Sequence, residues 1–143
     1  MKIIILGAGQ VGGTLTEHLA DEQNDVTVVD SSDAALRQLQ ERLDIRTVKG
    51  DASKPTTLSE AGAEDADMLI AVTDSDEVNM LACSIAFTLY RTPTKICRIR
   101  EIDYLNEDKK LFQSGAIPVD VTISPEHLVT CLLYTSPSPR DIG

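Results

Sequence analysis

The chain has 143 residues, the length of one domain with its own core, and contains 42% hydrophobic, 25% charged and only 3% aromatic residues, with no Trp. Its formal charge of −10, from 13 basic against 23 acidic side chains, repels phosphate backbones and anionic membrane surfaces, and so few rings leave no stacking platform for single-stranded nucleic acid. Nucleic acid is therefore not an expected partner.

The opening MKIIIL carries one positive charge and its apolar run is cut by glycine after four residues, so it is not expected to be a signal peptide, and no stretch approaches the roughly 20 apolar residues of a membrane span. Ile3–Leu6 instead predicts a strand, which ends in Gly7-Ala8-Gly9-Gln10-Val11-Gly12; a helical pattern then runs over 10–22. Val26–Val29 predicts a second strand, closed by Asp30, and 32–43 a second helix. A third strand, Ile45–Val48, leads through Gly50-Asp51-Ala52-Ser53 to a short helix near 56–61. A fourth, Met68–Val72, is followed by Thr73-Asp74-Ser75-Asp76-Glu77-Val78-Asn79 and a long helix over 76–91. Ile96–Ile99, a helix over 104–114 and Val119–Ile123 complete the alternation.

All six strands are apolar and rich in β-branched residues, so each is expected to be buried on both faces, as parallel strands are. Six strands joined by right-handed crossovers predict an α/β fold, a doubly wound parallel Rossmann sheet of order 3-2-1-4-5-6. Ser124, Pro125 and Glu126 carry the start signal of a further helix. Composition then shifts to Ser and Pro: residues 131–143 read as a foreign tail, residues 1–130 as the domain, and the natural protein is expected to continue beyond it.

The glycine spacing carries the first chemical signal. Gly7 suits a tight turn after the first strand, Gly9 lets a diphosphate approach the backbone, and Gly12 lets the helix pack closely. The helix N-terminus, with its free N–H groups and partial positive charge, then holds the anion. Asp30, 18 residues beyond Gly12, ends the second strand, where a carboxylate can accept from ribose hydroxyls. It can equally serve as capping chemistry with Ser31 and Ser32 for the next helix. No Arg or Lys follows it to pair a 2′-phosphate, which favours NAD over NADP.

Two further stretches fall at the carboxyl edge of the sheet: Gly50 to Ser53 on the adenine side, and Thr73 to Asn79 on the other. In the second, Ser75 or Asp76 can simply cap a helix, and Thr73 with Asp74 is the better ligand-contacting pair. Arg98 and Arg100 alternate onto one face of the fifth strand, where they meet either an anion or the solvent at the strand's end. The helix over 76–91 has two apolar stripes. Val78, Ala82, Ile85 and Leu89 are expected to face the sheet, while Met80, Cys83, Phe87 and Tyr90 are expected to form a homodimer interface or to lie under a neighbouring helix.

Catalytic chemistry is sparse. His18 and His127 sit away from the strand ends, no metal-ligand spacing occurs, and no GxxxxGK[ST] loop is present. The three cysteines, Cys83, Cys97 and Cys131, are odd in number and widely spaced, which suits buried thiols in a reducing compartment rather than a disulfide or zinc framework. No catalytic residue and no metal site are assigned.

The segments IIILGAGQVG, VTVVD, VKGDAS, DMLIAVTDSDEVNMLAC and KICRIR together resemble the nucleotide-binding domain of the RCK (KTN) family, which controls potassium channels and transporters. The likeness covers about residues 1–130 and is strongest in TDSDEVNMLAC, which ordinary dehydrogenases do not share. The resemblance implies a cytoplasmic regulatory subunit, peripheral at the membrane, that binds NAD or NADH, forms a homodimer and transmits ligand state to a membrane potassium transporter subunit. It implies that Gly7, Ala8, Gly9, Gln10 and Val11 hold the pyrophosphate and Asp30 the adenosine ribose. Asp51 and Ala52 would lie near the adenine, Thr73 and Asp74 near the distal half, and Arg98 near a phosphate. Family members that prefer ATP tend to carry Arg where this chain has Gln10, so ATP and ADP enter only as competitors. In the family the helix after the sixth strand crosses to the partner subunit; here it starts at Ser124 and is cut short. The alternative to a ligand sensor is the cofactor domain of a truncated NAD-dependent dehydrogenase.

Overall fold

The computed structural model describes residues 1–105, 110–113 and 115–124. Strands β1 (Lys2–Leu6), β2 (Asp25–Asp30), β3 (Arg46–Lys49), β4 (Met68–Ala71), β5 (Thr94–Arg98) and β6 (Val121–Ile123) alternate with helices α1 (Gln10–Leu19), α2 (Asp33–Arg42), α3 (Pro55–Glu60), α4 (Asp76–Tyr90), α5 (Ile102–Leu105) and α6 (Lys110–Gln113). The strands form one parallel sheet of order β3-β2-β1-β4-β5-β6, as the alternation predicts.

Side chains along β1 alternate between two cores. Ile4 and Leu6 join Leu69, Ala71, Cys97 and the α4 residues Ala82, Cys83 and Ala86 on one face. Ile3 and Ile5 join Val26, Val28 and Ile70 beneath Leu15 of α1 and Leu36 and Leu39 of α2 on the other. Residues 3 to 6 are at most 2% exposed, which explains an uninterrupted apolar run where a half-buried strand would alternate.

Several expectations need correction. β3 and β6 are not buried on both faces: each lies at a sheet edge, and Arg46, Lys49 and Val121 are exposed. α1 stops at Leu19 rather than at 22, because the Asp21 carboxylate accepts from the Gln23 and Asn24 N–H groups and turns the chain toward β2. The helix expected over 104–114 begins earlier, as α5, and is described as two short pieces. A 3-10 turn at Ala63–Asp65 has no counterpart in the expected elements. The helix start at Ser124 and the tail 131–143 lie outside the described residues, Ser124 itself excepted.

The stripe assignment on α4 also changes. Met80 and Cys83, expected at a dimer interface, are buried in this chain's own core, and the Tyr90 hydroxyl donates to the Pro55 carbonyl. Leu89, expected to face the sheet, is 56% exposed, as are Leu81 (49%) and Phe87 (41%). Beside Met80, the buried side carries the smaller Asn79, Ala82, Cys83 and Ala86, which let α4 approach the sheet closely, while Leu81, Phe87 and Leu89 stay outside. Among the described residues no helix is long and apolar enough to cross a membrane.

Candidate functional site

β1 sends its chain to one side and β4 to the other, so the connections diverge at their carboxyl ends and a cleft of about 1060 Å³ opens there. Gly7 forms its floor with φ +115°, and a Cβ on it would stand 2.8 Å from the Val72 carbonyl oxygen. Only glycine fits that turn. Gly12 is tighter still: a Cβ would lie 1.8 Å from the Gly7 carbonyl oxygen. Gly9 differs from both, because nothing lies within 4 Å of where its Cβ would be. Two of the glycines answer to the protein's own backbone, and the third faces the open cleft.

Gly9 is the N-cap of α1 and supplies no side-chain hydrogen bond, and the helix has no acidic residue in its first turn. In contrast, Ser32 caps α2 by accepting from the Ala35 N–H, and Ser75 caps α4 by accepting from the Val78 N–H. The orphan N–H groups and positive dipole end of α1 are thus presented to whatever occupies the cleft.

Asp30 stands across from this helix end. Its Oδ2 accepts from the Ala8 N–H at 2.7 Å and its Oδ1 from the Ser32 N–H at 2.7 Å. The carboxylate therefore ties the glycine turn to the start of α2 and serves both readings of the residue, turn support and cleft lining. A carboxylate has about four acceptor sites, so capacity remains for hydroxyl donors. On the same side Asp51 accepts from the Ser53 N–H at 2.9 Å and the Ser53 hydroxyl at 2.7 Å. These bonds hold the Asp51 carboxyl below the ordinary carboxylate range, so it stays anionic at neutral pH and loses its charge only as pH falls through that lowered value.

The distal wall is built by β4, β5 and α4. Arg98 is 7% exposed; its Nη1 donates to the Thr73 carbonyl at 3.1 Å, and Asp74 stands 3.7 Å away with its side chain in solvent. Arg100 lies beyond the end of β5 and is exposed, with Nη2 donating to the Asp74 carbonyl at 3.1 Å. The two arginines thus have different fates, and only Arg98 lines the cleft. Asp76 is 8% exposed and accepts from the Arg100 and Glu101 N–H groups, which pins the start of α4 to the chain leaving β5. Asn79 is fully buried and bonded to both Thr73 and Arg98.

Of the residues singled out in the sequence, Gly7, Gly9, Gln10, Val11 and Asp30 line the cleft on the glycine-turn side. Asp51 and Ala52 line it beyond β3, and Thr73, Asp74 and Arg98 beyond β4 and β5. Ala8 and Gly12 do not line it: Ala8 points its N–H at Asp30, and Gly12 is buried against the turn. Thr14, Ala35 and Val78 were missed as lining residues. Each sits on the first turn or so of its helix, and only the packing of those helices on the sheet turns them toward the cleft.

The neighbouring Cys83 and burial push the Cys97 thiol well above the ordinary thiol range, and Cys83 and Cys97 are both unpaired core residues. Among the described residues no group of His, Cys, Asp or Glu is arranged to hold a metal. His18 is exposed near the end of α1.

The family description TrkA-N domain matches residues 3–125. The chain is 62% identical over 130 residues to the Trk system potassium uptake protein TrkA of Vibrio alginolyticus, a match covering 91% of this chain and 28% of that protein. The chain thus spans little more than a quarter of that relative's length. Among solved structures it is similar to the TrkA-N domain of the inner membrane protein ybaL from Escherichia coli, with TM-score 0.72, 20% identity and 96% of both chains covered. It is also similar to the GsuK channel bound to NAD, with TM-score 0.69, 21% identity, and coverage of 85% of this chain and 21% of that one. At such identities these two likenesses concern the fold alone. The glycine turn, the order of the strands and the match over residues 3–125 converge on one conclusion: the chain belongs to the TrkA-N domain family.

Proposed function

We propose that residues 1–130 are a regulatory unit that binds NAD or NADH in the cleft without turnover, with ATP and ADP as competitors. The observation that carries this reading is the uncapped end of α1 at Gly9, open to the cleft and faced by the Asp30 carboxylate. A diphosphate satisfies the first feature and an unmodified ribose the second. Asp30, Ser31, Ser32 and Asp51 line the adenosine side, and a 2′-phosphate there would meet carboxylates rather than a cation. Titration calorimetry with NAD, NADH, NADP, ATP and ADP tests it. The dinucleotides without a 2′-phosphate, NAD and NADH, should bind most tightly, and absence of heat with all five would remove the proposal.

Removing the Asp30 carboxylate should weaken nucleotides with free ribose hydroxyls by about 1.5–3 kcal/mol, the scale of a hydrogen bond to a charged group. The same substitution, Asp30→Ala, also strips the Ala8 and Ser32 N–H groups of their acceptor, so a lowered thermal midpoint should accompany it. Unchanged affinity would place the sugar elsewhere.

At the level of the whole protein, the proposed role is that of a cytoplasmic subunit, peripheral at the membrane, whose ligand state biases a potassium transporter. Such coupling requires two assembly geometries of unequal affinity for the nucleotide. The proposed homodimer uses α4, through the outward Leu81, Phe87 and Leu89 rather than the buried Met80 and Cys83. Leu81→Glu combined with Leu89→Glu touches exposed positions only, so the double variant should stay folded and sediment as a monomer. A dimer that persists would move the interface off α4.

A further inference from the structure

We propose that Asn79 is a positioning residue of the cleft: it locks the Thr73 segment and Arg98 into one geometry, and so sets how much affinity a ligand gains from the half of the cleft beyond adenosine monophosphate. This inference rests on the nucleotide-binding reading above and adds a residue to it that touches no ligand.

Asn79 sits one turn into α4 and is 0% exposed. Its Oδ1 accepts from the Thr73 N–H at 3.0 Å and from the Thr73 hydroxyl at 2.6 Å. Its Nδ2 donates to the Thr73 carbonyl at 3.2 Å and to the Arg98 carbonyl at 3.0 Å. A carboxamide has two donors and two acceptor sites, so every one is in use and no other side chain of that size reproduces the set. Helix capping does not account for it, because Ser75 already caps α4.

Arg98 is the group being placed. Its guanidinium lines the cleft, yet Asp74 stands 3.7 Å away with a fully exposed side chain, and Arg98 Nε is buried without a hydrogen-bond partner. A buried cation with such loose neutralisation is costly unless an anion or strong acceptor joins it. The Thr73 carbonyl accepts from both Asn79 Nδ2 and Arg98 Nη1, so the two side chains share one anchor. A shift of Asn79 therefore moves that anchor and the Arg98 backbone together.

Sheet order decides which ligands feel this. Asp30 ends β2 and Arg98 ends β5, three strand spacings apart, or about 14 Å. A mononucleotide held by Asp30 and the end of α1 does not span that distance, whereas a dinucleotide does. Loss of Asn79 is thus expected to separate the two in affinity, which general loosening of the fold would not do.

The test is calorimetric titration of AMP and NAD against the chain and its N79D, R98M and N79D/R98M variants. N79D keeps the shape but sets oxygen against the Thr73 and Arg98 carbonyls. NAD should bind it about 10- to 100-fold more weakly, the effect of leaving buried polar groups unmatched, while AMP changes by less than about twofold. The double variant should bind NAD no more weakly than R98M alone, because both changes remove one unit. If N79D does not fold, as judged by its thermal transition, N79S takes its place in the same comparison. NAD affinity unchanged in the variant, equal losses for AMP and NAD, or losses that add in the double variant would each overturn the proposal. Wild-type chain that binds neither nucleotide would instead remove the nucleotide reading beneath it.

Discussion

Gly12→Ala is expected to destabilise the fold by about 3 kcal/mol and to lower the thermal midpoint by roughly 10 °C. The added methyl would stand 1.8 Å from the Gly7 carbonyl oxygen and 2.7 Å from its carbon, neither of which can rotate aside. Gly7 is itself held, since its N–H donates to the Val29 carbonyl at 2.8 Å in a turn with φ +115°. The N-terminus of α1 would have to tilt out of the cleft, and nucleotide binding should fall with stability. A variant melting within about 2 °C of the parent would show that the helix moves more freely than close packing allows.

At Gly9 the two properties should separate. Gly9→Asp places a carboxylate at the N-cap of α1, where the extended backbone, φ −77° and ψ −158°, accepts any residue and nothing crowds the new Cβ. Aspartate is a better N-cap than glycine by a few tenths of a kcal/mol, so the midpoint should hold or rise slightly. The same carboxylate would take the N–H groups that the diphosphate needs and set a negative charge beside it. Affinity for NAD should drop by about 100-fold or more, counting lost charge-assisted hydrogen bonds and repulsion together. Thermal unfolding and calorimetry on one preparation measure both; parallel losses of stability and binding would mean that Gly9 is structural like its neighbours, and undiminished binding would place the anion elsewhere.

This contrast marks how far the chain order alone reaches. Three glycines at one spacing look alike in a string of letters, and the reading that Gly7 turns, Gly9 admits a ligand and Gly12 packs came from where such spacing falls between a strand and a helix. The distances crowd Gly7 and Gly12 against backbone and leave Gly9 open. The Asp30 carboxylate was legible as a cleft residue from its place at the end of β2; its second duty, holding the Ala8 N–H, was not, because that partner lies 22 residues away. The α4 stripes were read with Val78, Ala82, Ile85 and Leu89 toward the sheet and Met80, Cys83, Phe87 and Tyr90 away from it. Helical periodicity locates an apolar face only when the opposite face is polar, and α4 is apolar nearly all round. The choice between stripes fell to the sheet, which accepts Ala82, Cys83 and Ala86 and leaves Leu81 and Leu89 outside.

Local chemistry was sufficient for the alternation of strands and helices, the parallel sheet and its order, and the glycine turn with its acidic partner. Each depends on neighbours close in the chain or on the handedness of crossovers. What the assembled molecule alone decided is the far wall of the cleft. Arg98 and Arg100 are two residues apart and chemically equal, yet one is buried against the Thr73 carbonyl and the other is exposed. That difference arises from contacts across 19 to 26 residues, between the end of β5 and the loop and helix that follow β4. Pairings at that separation exist only once the sheet has closed.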